Sequence, residues 1–374
     1  MRTSAVAGIV FANANDDFLK KLTAHRSMAS VPIGCRYRLI DFALSNLVNA
    51  GVKNVGVIAK EKYRSLMDHL SSGASWDLDR KNGGLRVLPP YITSGAKRYT
   101  GSVASLAGIY DYIDRCGSDY LVLCDADIVA NVDVSAALKA HIETEADVTV
   151  VYHNGLFPSK KNERDGMNLT IDEKGFVKEI TFESSDSEAT NLSIGITIIG
   201  RKLLKELVAA ASEEGYTSFN RDVLAKKVGN LKIYGFEHKG YVAIMNSTNS
   251  YFNANIDLLK PEVRTQLFSK ERPIFTKTRN DMPTRYGTES VVKNSLIAEG
   301  CVIEGTVKNS ILFRGVKVKK GAVVENCILM QETVVNKNAQ IANLLSDKNA
   351  VIGEDMVLKG TKQKHFFVGK NETV

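Results

Sequence analysis

Val292–Ile297 reads VKNSLI, Val307–Leu312 reads VKNSIL, Val324–Leu329 reads VENCIL and Ile341–Ser346 reads IANLLS, one unit returning at spacings of 15, 17 and 17 residues. Recurrence at a near-constant period marks a solenoid, in which each coil buries its apolar side against the next. Aliphatic residues also recur every six positions: Val291, Ile297 and Ile303, then Leu312, Val318 and Val324, then Leu329, Val335 and Ile341, then Leu345, Val351 and Val357. Three six-residue faces per coil predict a left-handed triangular β-helix over 288–361, with a tail over 362–374. Its outer faces offer docking surfaces, or serve as scaffold only.

Upstream, the pattern changes. From Met1 to about residue 260, aliphatic stretches (Val55–Val57, Tyr120–Cys124, Val148–Tyr152) alternate with helical periodicity (Ile40–Ala50, Ser102–Arg115, Ser135–Glu143). That alternation predicts an α/β, doubly wound, Rossmann-like domain. Its ligand crevice then lies beyond the carboxyl ends of the strands, at Asn13–Asp17, Pro89–Gly101 and Asp125–Asn131. Residues 261–287, with Pro273 and Pro283 among polar residues, read as a connector.

The bulk numbers are permissive. The 374 residues are 44% hydrophobic and 24% charged, enough for two or three packed domains. The net charge of +7 is not gathered into a basic run, which favours phosphorylated small molecules over nucleic acid. Cysteines 35, 116, 124, 301 and 327 are odd in number and widely spaced, without a C-x-x-C, so neither a disulfide framework nor a zinc site is expected and a reducing cytoplasm is implied. The apolar run Ala5–Ala12, ending near Ala12-Asn13-Ala14, superficially resembles a signal peptide, but the strand–helix alternation that follows reads it as a buried first strand. No stretch approaches membrane-spanning length. The six histidines form no i, i+4 pair.

The motifs then narrow the field. Pro32-Ile33-Gly34-Cys35-Arg36-Tyr37-Arg38-Leu39-Ile40-Asp41-Phe42-Ala43-Leu44-Ser45-Asn46 is very similar to the G-G-K-[YF]-R-I-I-D-F-x-L-S-N signature of ADP-glucose pyrophosphorylases, the bacterial glucose-1-phosphate adenylyltransferases. Tyr99-Thr100-Gly101-Ser102 resembles their Y-x-G-T, and Asp125-Ala126-Asp127 falls at their metal-binding G-D. Tyr251–Leu258 resembles their Y-W-x-A-N-x-D-L. With the β-helix, the resemblance covers nearly the whole chain. It implies attack of a glucose 1-phosphate oxygen on the α-phosphorus of ATP, a reaction that depends on neutralising phosphate charge.

The parts such chemistry needs are missing. The family's glycine-rich G-G-x-G-T-R-L loop is Ala12-Asn13-Ala14-Asn15-Asp16-Asp17-Phe18 here, without glycine or arginine and with two acids that repel a triphosphate. Met28 replaces the lysine of R-A-K-P, and Ile244 falls where the second metal-binding aspartate belongs, leaving Asp127 as a vestigial metal position. Ile180–Ser185 lacks the lysine of F-V-E-K-P, while Ser193-Ile194-Gly195 keeps the neighbouring S-M-G wall. Tyr99, Gly101, Ser102 and Ser193 mark the remnant of the nucleotide and sugar crevice. Ser102 reads equally as the N-cap of the helix through Arg115, and Tyr91 implies a changed adenine pocket.

The resemblance is therefore to the non-catalytic, GlgD-type branch of the family. It implies a regulatory subunit of a hetero-oligomer, expected as a tetramer, that pairs with a catalytic GlgC-type subunit making ADP-glucose for glycogen. Such a chain requires no cofactor, and Mg2+ with ATP belongs to the partner. Arg36 stands at the family's effector-contacting lysine, with Arg38 close by; they either bind a phosphorylated effector or form ion pairs with residues such as Asp41. The alternative is a weakly active adenylyltransferase in its own right. A hexapeptide acyltransferase would need a histidine base, and none lies between Val291 and Val357.

Overall fold

A computed structural model describes residues 6–13, 15–89, 101–155, 166–182 and 190–374. Strands Val6–Phe11, Asn54–Ile58, Gly84–Leu88 and Tyr120–Asp125 are parallel and lie side by side, with Val6–Phe11 between Asn54–Ile58 and Tyr120–Asp125. Thr190–Gly200 extends the sheet antiparallel, and Asn168–Ile171, Val177–Thr181, Val148–Gly155 and Ile233–Glu237 complete its nine strands. Both faces are covered, as near-continuous apolar strands require. Val10, Val57 and Val122 pack with Leu44, Leu66 and Ala137 on one side, while Ala7, Ile9 and Leu123 pack with Leu106, Leu204 and Phe219 on the other.

The expected helix Ser102–Arg115 is two helices, Gly101–Ala107 and Tyr110–Arg115. The break falls at Gly108-Ile109, where Gly108 lowers helix propensity.

The β-helix consists of three five-stranded parallel sheets. Its registers stack Val292, Val307, Val324, Ile341 and Leu358 along one inner edge. Ile303, Val318, Val335 and Ile352 line another. Leu312, Leu329 and Ser346 lie on the third. The inward residues thus advance in steps of five, six and six rather than six throughout. The short step is the corner at Asn294, Asn309, Asn326 and Asn343, all in the left-handed region (φ 42 to 50°), where asparagine tolerates a tight turn. A six-residue count back from Ile297 therefore misplaces Val291, which is 40% exposed beside the stacked Val292. In the last coil the inward residue is the polar Ser346 rather than the aliphatic Leu345, so Val351 and Val357, the latter 58% exposed, stand one position before the inward Ile352 and Leu358. Leu345 faces outward, against the first domain.

Coils also extend past 288–361. Arg285–Tyr286, inside the expected connector, pairs with Val302–Ile303, and Phe366–Val368, inside the expected tail, pairs with Leu344–Ser346. The connector itself contains the helix Pro261–Leu267, with proline in its first turn.

One face of the β-helix is lost to solvent. Ile311, Phe313, Ile328, Met330 and Leu345 pack against Phe42, Tyr251, Phe252 and Leu267. Within this seam, Arg26 donates to both oxygens of Asp347 at 2.7 and 3.0 Å, both side chains almost fully buried. Removing one member of such a pair strands the other charge. Asp347→Asn is therefore expected to cost roughly 3–5 kcal/mol in chemical denaturation, and Arg26→Met with Asp347→Leu to recover most of it.

Candidate functional site: a remodelled crevice and a cationic pocket

The signature stretch 32–46 folds as a hairpin, Pro32–Ile33 against Tyr37–Arg38, leading into the helix Leu39–Asn49. Gly34 and Cys35 both take positive φ (56° and 70°) at its tip. The helix Thr248–Asp257 holds this hairpin: the Tyr251 hydroxyl donates to the Pro32 carbonyl at 2.6 Å, and the Gly34 amide donates to Asn255 Oδ1 at 3.0 Å. The Y-F-N-A-N motif is thus a clamp that aims Arg36 and Arg38.

Those two arginines lie on a cavity of about 310 Å³, lined also by His69, Lys277, Arg279, Arg314 and Gln331, where the connector and β-helix meet the first domain. Five arginine and lysine side chains converge on it against one lining acid, Asp68. Arg38 donates to the carbonyl and hydroxyl of Ser65 at 2.5 and 2.9 Å, and Arg36 lies over the Tyr37 ring at 5.7 Å. Asp41 is not their ion-pair partner. One of its oxygens contacts His69 Nε2 at 2.6 Å and the other accepts the Arg38 backbone amide at 3.0 Å. Burial holds His69 below its ordinary pKa, against the pull of Asp41. Burial pushes Arg38 down to about 10, with Arg26, Arg279 and Arg314 adding to the effect and Asp41 opposing it. A dianionic group is the natural counterpart of such a set. Lys277, Arg279, Arg314 and Gln331 come from distant sequence and carried no local signal.

The crevice lies where the strand ends were expected to place it. Asn13, Asn15, Gly101, Ser102 and Asp125 line a space of about 280 Å³ with Phe11, Ile58 and Lys60. The former phosphate loop is satisfied by its own side chains. The Asn13 amide donates to Asp16 at 2.7 Å while its carbonyl accepts the Lys60 amide at 2.7 Å. Asp16 accepts the Met28 amide at 2.7 Å, and burial raises its pKa. Asn15, itself left-handed (φ 60°), donates to Asp127 Oδ2 at 2.7 Å.

Asp127 is fully buried and does not line the crevice; Asp125, two residues earlier, does. Ile244 stands beside it as counted from the motif: Ala243–Ile244 pairs with Ile128–Val129, and the Met245 amide donates to the Asp127 carbonyl. The Asn15 side-chain amide thus holds one oxygen of the Asp127 carboxylate, and Ile244, opposite Ile128, packs into the apolar cluster of Ile128 and Ala12. Among the described residues, no three His, Cys, Asp or Glu side chains converge as a metal site. These residues do not fit Mg2+.

Of the other expected residues, Ser102 is not an N-cap but the second residue of Gly101–Ala107; it lines the crevice, and its hydroxyl oxygen accepts the Phe219 amide at 2.8 Å. Gly101 (φ 87°) allows that approach, since a Cβ there would collide with the Thr217 carbonyl. Ser193 stands at a bulge in Thr190–Gly200, where its hydroxyl accepts the Gly195 amide at 3.3 Å, and Gly195 abuts Asp125. Tyr99 and Tyr91 lie outside the described residues, as do Glu183–Ser185. No helix among the described residues is long and apolar enough to cross a membrane.

Fold and crevice together define a sugar-nucleotidyltransferase architecture: a doubly wound sheet with its loop at the strand ends, joined to a hexapeptide β-helix. The nucleotidyl transferase family profile matches residues 16–235, and the GlmU-like C-terminal hexapeptide profile matches residues 280–368. The chain is 37% identical over 371 residues to the glycogen biosynthesis protein GlgD of Bacillus subtilis, covering 99% of this chain and 97% of that one. It is 38% identical over 364 residues to GlgD of Geobacillus stearothermophilus, covering 97% and 95%. It is 33% identical over 329 residues to the glucose-1-phosphate adenylyltransferase of the same organism, covering 87% and 84%. The chain belongs to the family of GlgD proteins and glucose-1-phosphate adenylyltransferases.

Behind the cationic pocket, burial together with Arg38 and Arg26 pushes Lys348 down to about 7. The unfolded chain binds this proton up to the ordinary lysine range and the folded chain releases it near pH 7, so stability rises with pH across that window. Lys348→Met is expected to flatten this slope, with a melting temperature above the parent's at pH 6 and a gap that narrows towards pH 10.

Proposed function

We propose that this chain is the modulatory subunit of an ADP-glucose-forming glucose-1-phosphate adenylyltransferase, serving glycogen synthesis by pairing with a catalytic, GlgC-type subunit rather than by carrying out the transfer itself. The observation that carries the reading is the Asn15–Asp127 contact beside Ile244: the loop that should receive a metal–triphosphate is closed on its own side chains. The alternative of weak intrinsic activity must reopen this loop and recruit a second carboxylate.

What remains is an anion receptor. The pocket of Arg36, Arg38, Lys277, Arg279 and Arg314 straddles the seam between the domains, so a phosphorylated effector bound there touches both. Magnesium and ATP are then required by the partner, not by this chain.

The β-helix supplies a docking end for a subunit of the same fold. Tyr286 and Val292 occupy inward positions of the first coil yet are 53% and 37% exposed, whereas their register equivalents Ile303 and Val307 are fully buried. The opposite end is covered by residues 372–374, where the Val351 amide donates to the Glu372 carbonyl and the Val374 amide to the Val351 carbonyl. An uncapped coil presents apolar lumen and unpaired strand edges, which another β-helix end can cover.

Mixed with the catalytic subunit, the chain is expected to co-elute as a hetero-oligomer and to change the rate or effector response of ADP-glucose synthesis. Val292→Asp with Tyr286→Glu should abolish co-elution. Arg36→Ala with Arg38→Ala should preserve co-elution while reducing the effector response at least tenfold. A mixture whose kinetics equal those of the catalytic subunit alone, with no co-elution, would overturn the proposal.

A further inference from the structure

At the end of the sheet opposite the crevice lies a larger cavity, of about 520 Å³, into which Lys53, Lys81, Arg86 and Arg115 project around Asn54 and Cys116. That volume falls within the roughly 300–1,000 Å³ of small-molecule sites. No aspartate or glutamate lines it, and among the described residues none of the four cations forms an ion pair. Four like charges around one concavity repel one another, and an anionic occupant relieves that repulsion.

A structural role accounts for part of the set. The helices Leu39–Asn49 and Tyr110–Arg115 end here, and cations favour helix carboxyl ends, which covers Lys53 and Arg115. Lys81 and Arg86 stand on a loop and on the edge strand Gly84–Leu88, where no helix ends. The floor is polar and fixed: the Tyr112 hydroxyl donates to Asn54 Oδ1 at 2.8 Å.

We propose that this cavity is a second binding site for phosphorylated small molecules, separate from the pocket at Arg36 and Arg38 and from the crevice. The strands Val6–Phe11 and Asn54–Ile58 begin at this cavity and end in the crevice, so the two sites are opposite ends of the same rigid elements.

Cys116 reports on occupancy. It alone of the five cysteines is not buried, its thiol donating to the Ile113 carbonyl at 3.0 Å, whereas burial raises the pKa of Cys35, Cys124, Cys301 and Cys327. The test is the rate of Cys116 alkylation by neutral iodoacetamide on the full chain, located by peptide mapping, with inorganic pyrophosphate against chloride at matched ionic strength. Pyrophosphate is expected to slow alkylation at least fivefold and saturably. Lys81→Ala with Arg86→Ala should abolish the protection, Lys81→Arg with Arg86→Lys should retain it, and Arg36→Ala with Arg38→Ala should leave it intact. Lys81 and Arg86 are exposed, and circular dichroism checks that each variant is folded. Protection no greater than chloride gives, or protection that survives loss of both Lys81 and Arg86, would overturn the proposal.

Discussion

A buried guanidinium sets the geometry of this molecule. Arg26 leaves the first domain, reaches the Asp347 carboxylate in the β-helix, and meets Met330 Sδ at 3.9 Å on the way. Buried ion pairs add little net stability compared with apolar packing, but they penalise any arrangement that separates the partners. The apolar seam of Phe42, Phe252, Phe313 and Ile328 supplies the adhesion, and the pair fixes where it closes. Two residues on, the Met28 amide donates to Asp16, whose carboxylate also accepts from Asn13. One short segment therefore connects the solenoid to the floor of the crevice.

That connection holds the crevice in shape without a glycine-rich loop. A glycine-rich phosphate loop is held open by the backbone donors it aims at a ligand. Here asparagine and aspartate side chains satisfy one another instead, and Asp127, fully buried, accepts from Asn15 where a metal would otherwise be drawn. Positive charge is gathered instead in the seam, where Arg36, Arg38, Lys277, Arg279 and Arg314 converge. A ligand held there touches the hairpin, the connector and a β-helix coil together.

Much of this was legible in the sequence because it rests on local rules. The repeat from Val292 declared the solenoid and the strand–helix alternation declared the sheet. What escaped was set by tertiary context. The five-residue corner at each left-handed asparagine shifts the inward position from Val291 to Val292, which a count by six cannot register. In the last coil a polar Ser346 takes the inward place that the aliphatic Leu345 suggested, moving Val357 to Leu358. Arg36 and Arg38 were visible because they are adjacent in a motif. Lys277, Arg279, Arg314 and Gln331 were not, because only the docking of the β-helix brings them there. Ser102 reads in sequence as either a crevice residue or a helix cap; it lies on the crevice wall within the helix, and its hydroxyl oxygen accepts from Phe219, 117 residues away.

The claim that the crevice is chemically closed is tested most directly by pyrophosphate release from Mg·ATP and glucose 1-phosphate with this chain alone, in excess over substrate. The account predicts no release above the protein-free rate. Release that scales with protein and disappears on Asp125→Asn would contradict it, and would mean that the Asn15–Asp127 contact opens to admit the nucleotide.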